Sequence, residues 1–166
     1  MIAASATDVR PAGRPVPAWV IRSSAILVVI GLAVAAYLTL THFTTHVRLA
    51  CSASGTIDCE KVTTSPQAYI LGIPVAVLGL AFFVVYAGLC APAAWRSPEP
   101  LVRYARLVWA IGGVCTVVYL IYAELFEIDA ICLWCSLVHL VTIALFVVVV
   151  VGEALVEGAP SSAPAG

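Results

Sequence analysis

The chain has 166 residues, of which 63% are hydrophobic and only 10% charged, and its net charge is −1. Few soluble domains have that composition, and a near-neutral chain without a basic cluster offers nucleic acid no electrostatic surface. The charged residues fall between long apolar runs, so most of the chain is expected inside a lipid bilayer as a single domain.

Residues 1–18 are rich in Pro, Ala and Gly and read as a disordered tail. The first apolar run, Ser24–Thr41, carries no charge. Arginines precede it and "AVAAY" lies near its end, as in a secretory signal. However, Thr39–Phe43 offers no small-x-small cleavage site and the run is long for a signal sequence, so it is read as a retained span. "HFTTHVRLACSASGTIDCEKVTTSPQA" follows, a polar loop too long for an incidental connection. Within it Ser52–Gly55 reads as a turn between Cys51 and Cys59. Ser65–Pro66 reads as a helix start, with Ser as N-cap and Pro in the first helical position. The second run, Tyr69–Ala91, contains Gly72, Pro74, Gly79 and Gly88, which membrane helices tolerate. Cys90–Pro100 is a proline-broken link. The third run is Leu107–Ala123. A short acidic link with Glu124, Glu127 and Asp129 leads to the fourth run, Ile131–Gly152, which opens on "CLWC". Residues 153–166 read as a second disordered tail.

Lysine and arginine placement orients the spans. Arg10, Arg14, Arg22, Arg96, Arg103 and Arg106 fall on one side, which is six of the eight basic residues; Arg48 and Lys61 fall on the other. The six mark the cytoplasmic side, so both termini are expected inside and two links outside. Trp19, Tyr69, Trp95 and Trp134 lie near span ends, as interfacial aromatics do. The expected fold is all-α: an integral membrane four-helix bundle over residues 19–152, with a cysteine-containing outer loop between the first two spans. Its expected place is the plasma (inner) membrane.

Six cysteines divide by location. Cys90 and Cys115 read as small apolar packing residues. Cys51, Cys59, Cys132 and Cys135 all fall on the outer side, where disulfides persist, although the orientation was obtained without them. Three readings compete. Two inert disulfides explain Cys51–Cys59, but a bond across Cys132–Cys135 closes too short a loop to constrain much chain entropy. A four-cysteine zinc site suits the Cys-x-x-Cys half, whereas the other half is widely spaced and an oxidising exterior disfavours free thiolates. A thiol–disulfide relay is the third reading and the favoured one. With a helix starting near Asp129–Ile131, Cys132 and Cys135 occupy its first turns, on one face. Asp129 then serves as N-cap, and the helix macrodipole favours a thiolate, the attacking species in exchange. The loop pair is expected to be exposed to a soluble partner and the second pair to a lipid-soluble one. A membrane carrier of two electrons and two protons is a quinone.

"CSASGTIDC" after the first span, Ser65 six residues beyond the second loop cysteine, "LGIP" early in the second run and "CLWC" opening the last span together resemble the vitamin K epoxide reductase family, in its bacterial branch. The resemblance covers about residues 20–152. It implies a bundle enclosing a quinone, menaquinone or ubiquinone, near the outer surface, with no metal. It implies a DsbA-like thioredoxin-fold partner, whose electrons pass to the loop cysteines, then to the Cys-x-x-Cys, then to quinone. By matching positions, Cys51 pairs with Cys59, Cys59 attacks Cys132, and Cys135 forms the charge-transfer contact with quinone. Ser65 lies near the quinone as a hydrogen-bond donor; the N-cap role is its other reading, and both can hold.

Bacterial members often carry a fused thioredoxin-like domain; this chain ends at Gly166, so a separate partner is expected. Animal members have a tyrosine where this chain has His139, which argues against vitamin K epoxide as the natural substrate. His139 shares the face of Cys135 and is read either as a quinone contact or as a hydrogen bond between helices. His42 and His46 read as solvated. Arg48 and Lys61 either lower the loop thiols' pKa or are surface charge. The acidic link either orients a partner or faces water. A DsbB-like enzyme shares the chemistry but reverses the order of the cysteine pairs. An outward reductant exporter needs a cysteine pair that Cys90 and Cys115 do not form. A disulfide-stapled tetraspan scaffold is the non-enzymatic alternative.

Overall fold

The computed structural model describes residues 15–44, 49–51 and 55–157; positions 1–14 and 158–166 of the expected tails (1–18 and 153–166), His46, Arg48 and the Ser52–Ser54 part of the turn lie outside the described residues, while 153–157 of the second tail continue the last helix. Four apolar helices organise the chain: α1 (Ala18–Phe43), α3 (Val75–Leu89), α5 (Pro100–Tyr122) and α6 (Leu133–Glu157). Two short helices, α2 (Cys59–Thr63) and α4 (Pro92–Trp95), lie in the links. Helix is the natural answer to these runs, because lipid leaves backbone polar groups no partner outside their own segment. Proline sets the starts: Pro100 and Pro92 open α5 and α4, where a missing N–H costs nothing.

Among the described residues three stretches are long and apolar enough to cross a membrane: Ala18–Phe43, Pro100–Ile128 and Leu133–Val156. The fourth helix, α3, has 15 residues. It covers roughly 22 Å at about 1.5 Å per residue, short of a hydrocarbon core of about 30 Å. Its expected first turns, from Tyr69, are not helical. Pro66–Ala68 forms a 3₁₀ turn, and Tyr69–Ile70 (β1) pairs antiparallel with Ile73–Pro74 (β2), Ile70 opposite Ile73. Leu71 and Gly72 carry φ of 53° and 80°, the two positive values a tight hairpin turn requires. "LGIP" is therefore a hairpin tip, and the helix begins directly after Pro74, whose ring cannot continue a helix behind it. The class remains all-α apart from this two-stranded pair.

α1 packs against α3 and α6, and α5 against α6 and α3. Val20, Val28, Ala35, Phe83, Tyr86, Ala110, Leu145 and Val149 form the buried seam between them. Glycines permit the closest approaches. The Phe83 ring occupies the space a Cβ on Gly31 would need, and Phe82 lies 2.6 Å from the Cβ position of Gly113. Outward faces carry exposed Ile26, Val29, Val84, Val108, Val118, Leu140 and Val147, the surface expected of helices in lipid.

At the end of the helices that carries the arginines, Arg106 is only 3% exposed. Its Nε and Nη2 donate to Leu89 O and Ala94 O, each at 2.9 Å, and its Nη1 to Glu153 Oε1 at 2.6 Å. The guanidinium carbon lies 3.7 Å from the centroid of the Trp95 ring, and Trp95 Nε1 donates to Ser24 Oγ. Arg103 Nε is 3.1 Å from the second Glu153 oxygen. One side chain thus satisfies carbonyls at the ends of α3 and α4 and fastens both to α5 and α6.

Candidate functional site

The opposite end gathers Cys51, Cys59, Cys132 and Cys135. Cys51 and Cys59 form a disulfide with Cα atoms 6.1 Å apart. Cys59 opens α2, and Asp58 caps that helix by accepting from Lys61 N at 2.9 Å. The chain just before Cys59 pairs with the chain just before Cys132. Ile57 and Ile131 form a parallel bridge, Ile131 N donates to Thr56 O at 2.9 Å, and Asp58 N donates to Ile131 O at 3.1 Å. Two chain segments are thereby tied, and the two cysteines that follow the bridge, Cys59 and Cys132, fall into one buried cluster. Trp134 secures the other arm: its Nε1 donates to Ala50 O at 3.2 Å and its ring packs on Tyr37, whose hydroxyl accepts from Ala50 N.

Helix α6 begins at Leu133, so Cys132, not Asp129, is the residue at its N-cap. Cys132 Sγ accepts from Cys135 N at 3.3 Å, and Cys132 O accepts from Ser136 N at 2.8 Å. Sulfur takes the place that an oxygen of Ser or Asp usually fills. The Cys135 thiol beside it holds the Cys132 thiol below its ordinary value, and backbone N–H groups at the helix start add to this against the opposing effect of burial. Asp129 instead adopts a left-handed conformation, φ 53°, and closes a π-turn over Ala123–Ile128. That turn continues α5 beyond its expected end at Ala123. It carries Glu124 inward, so that one member of the expected acidic rim is buried.

Cys132 is fully buried and Cys59 is 2% exposed, while Cys51 and Cys135 are half-buried. The loop disulfide is therefore tucked against α6 and the π-turn instead of standing in solvent as expected. A cavity of about 1350 Å³ opens beside it, and Cys51, Cys59, Ser65, Cys135 and His139 all line it. Of the six residues expected to form the site, Cys132 is the one that does not line it; it lies in the buried cluster with Cys59. Ser65 precedes the 3₁₀ turn, but its hydroxyl donates backward to Val62 O at 2.8 Å and does not cap the turn. His139 is buried on the cavity wall and makes no hydrogen bond among the described residues.

Further wall residues carried no motif. Phe82 and Trp109 stack at 5.9 Å, nearly parallel, and Trp109 Nε1 donates to Phe82 O. His42, expected to be solvated, lines the cavity and hydrogen-bonds Tyr69 at 3.3 Å. Glu124 also lines it; the sequence signal for it was an ionisable residue at the edge of an apolar run. Lys61 Nζ reaches Asp129 O at 3.5 Å and no cysteine. At the far end, burial pushes the Cys90 thiol up to about 12, consistent with packing. Among the described residues no three of His, Cys, Asp and Glu converge as metal ligands would, and the disulfide removes two of the four thiolates a zinc site would use.

The arrangement can do one kind of chemistry well. A disulfide, an N-capped thiol and a second thiol on a cavity wall occupy one cluster, and thiol–disulfide exchange needs such neighbours. The family model described as the vitamin K epoxide reductase family matches residues 23–150 of this chain.

Proposed function

The chain belongs to the vitamin K epoxide reductase family, and from that membership we propose that it is a quinone-linked thiol oxidoreductase that drives disulfide formation in exported proteins. A DsbA-like thioredoxin-fold partner in its dithiol form gives two electrons to the Cys51–Cys59 disulfide. Cys51 is the sulfur such a partner meets, because Cys59 is buried. The released Cys59 thiolate attacks Cys132 and frees Cys135; Cys51 then attacks Cys59, restores the loop disulfide and leaves Cys132 and Cys135 reduced. Cys51–Cys59 oxidised with Cys132 and Cys135 free is the state described here.

One observation carries the reading: both cysteine pairs share a buried cluster, and Cys135 also lines the cavity. The cavity suits a quinone, with apolar and aromatic walls at Phe82 and Trp109 for the ring and polar groups such as Ser65 and His139 for its oxygens. A bound quinone supplies an acceptor for two electrons and two protons. His139 has its ring nitrogens uncommitted and would hold a carbonyl oxygen. Ser65 would do so only after its hydroxyl turns away from Val62 O. On this reading the cysteine end faces outward from an inner membrane and the Arg106 end faces the cytoplasm, in accord with the lysine and arginine bias.

The test mixes purified protein with reduced thioredoxin-fold partner and a quinone and follows quinone absorbance. Wild type should reduce the quinone and Cys135→Ala should not. No reduction by wild type, or equal reduction by the variant, sinks the relay. If Cys132→Ala lowers stability while thiol oxidation persists, the cysteines are only staples of a scaffold. Thiol labelling from outside intact cells tests the orientation: after mild reduction Cys51 should label without permeabilising the membrane.

A further inference from the structure

We propose that the Glu124 carboxylate is the proton acceptor of the Cys132/Cys135 pair, taking the proton of the Cys135 thiol as the disulfide between them forms. The inference rests on the relay reading and adds to it a residue outside the cysteine, serine and histidine set.

Two buried glutamates make the contrast. Glu153 meets Arg106 and Arg103, and its role is to fasten helices. Glu124, 6% exposed, has no cation beside it among the described residues. Burying a carboxyl without a cation is costly, and a residue of this shape without charge would pack as well. Its surroundings are the reacting groups. Ala123, next to Glu124 in the chain, and Ala130, whose N–H donates to its carbonyl, pack in the buried cluster that holds Cys132 and Cys135. Glu124 lines the same cavity as Cys135 and His139. The backbone is built to hold it there. The π-turn bends the end of α5 inward, Asp129 closes it in the left-handed region, and Ala130 N donates to Glu124 O at 3.1 Å. Such turns recur at functional sites.

Chemistry supplies the need. In the reduced pair Cys132 Sγ accepts the Cys135 N–H at 3.3 Å, which favours the thiolate there and leaves the remaining proton on Cys135. The Cys132 sulfur is the atom Cys135 must bond to, so Cys135 cannot keep the proton. Forming the S–S bond takes two electrons from the Cys132 thiolate and the Cys135 thiol and releases the Cys135 proton. Glu124 receives it and passes it along the cavity wall toward His139 and the quinone acceptor, then returns to carboxylate. The second proton of the two-electron reduction enters from water at the outer mouth.

The experiment uses the purified full chain, freed of quinone, in a Cys51→Ala/Cys59→Ala background poised reduced or oxidised with dithiothreitol. The infrared difference spectrum should contain a protonated-carboxyl band that changes on oxidation and is missing in Glu124→Gln. No carboxyl band, or the same band in the variant, overturns the proposal. With the loop cysteines restored, pre-reduced Glu124→Gln should reduce added quinone about 100-fold more slowly, with partial recovery in Glu124→Asp and unchanged exchange between a thiol partner and Cys51–Cys59. A rate equal to wild type overturns it as well. Failure of wild type to reduce quinone would sink the relay reading, whereas the infrared band still decides Glu124.

Discussion

Arg106 is the clearest place to test what holds the helices together. Arg106→Met keeps the volume and removes the charge and five donors. Glu153 loses a 2.6 Å partner and keeps Arg103, whose side chain is 32% exposed and so a weaker counter-charge. Leu89 O and Ala94 O lose their donors, and Trp95 loses the cation over its ring. Breaking one side of a buried ion pair costs about 3–5 kcal/mol, and that range is expected here, since the retained Arg103 offsets part of the cost and the orphaned carbonyls add to it. Removing the partner too, as Arg106→Met/Glu153→Leu, should recover more than half, because the expense lies in the uncompensated charge. The assay is denaturant unfolding in detergent micelles. A loss below about 1 kcal/mol for the single variant, or a double variant no better than the single, would refute the reasoning. Turnover per folded molecule should stay at the wild-type level, because the cysteines cluster at the other end.

Three further outcomes follow. In the reduced protein the depressed Cys132 thiol contributes stability that is present above the unfolded value, about 8.5, and is lost as pH falls through the lower folded value. The stability difference from Cys132→Ser should therefore grow as pH rises through that window, and a flat difference contradicts it. Trp134→Phe keeps the ring on Tyr37 but deletes the hydrogen bond to Ala50 O, a loss of about 1 kcal/mol, so dithiothreitol should reduce Cys51–Cys59 faster; an unchanged rate argues that the loop is held elsewhere. Gly31→Ala forces a methyl into the Phe83 ring and should cost about 1–3 kcal/mol in the same unfolding assay, with Phe83→Leu restoring most of it.

How much of this was legible depended on which physical signal each residue carried. Long uncharged runs must be helical in lipid, so the apolar helices could be read from composition alone. That Cys51, Cys59, Cys132 and Cys135 share one end could be read from topology and that His139 shares the face of Cys135 from helical spacing, whereas Ser65 is placed with them by the family resemblance. The hairpin at "LGIP" could not, because Ile70, Leu71 and Ile73 look the same to a hydropathy window whether they are helical or extended, and the deciding feature is Pro74. Nor could the extension of α5, since Glu124 and Glu127 look like the edge of a span when only charge is counted. The π-turn buries the first of them and leaves the second at the surface. Arg106 was visible as a topological marker, while its bonds to Leu89 and Ala94 depend on how three helices meet.

The distinction between the two cysteines of "CLWC" is a matter of register at a helix start. Cys132 stands at the N-cap, where its sulfur can accept the N–H of Cys135 and its side chain is buried in the cluster that also holds Cys59. Cys135 stands one turn further on and reaches the cavity that His139, another turn along, also lines. A helix beginning two residues earlier would put both sulfurs inside regular helix, and Cys132 would have no free N–H to accept. On the relay reading, that offset gives the pair its direction: the buried sulfur is met from the loop side, and the cavity-facing sulfur is the one from which electrons leave. The parallel bridge of Ile57 with Ile131 fixes the offset, because it sets where the extended chain before Cys132 ends and the helix begins.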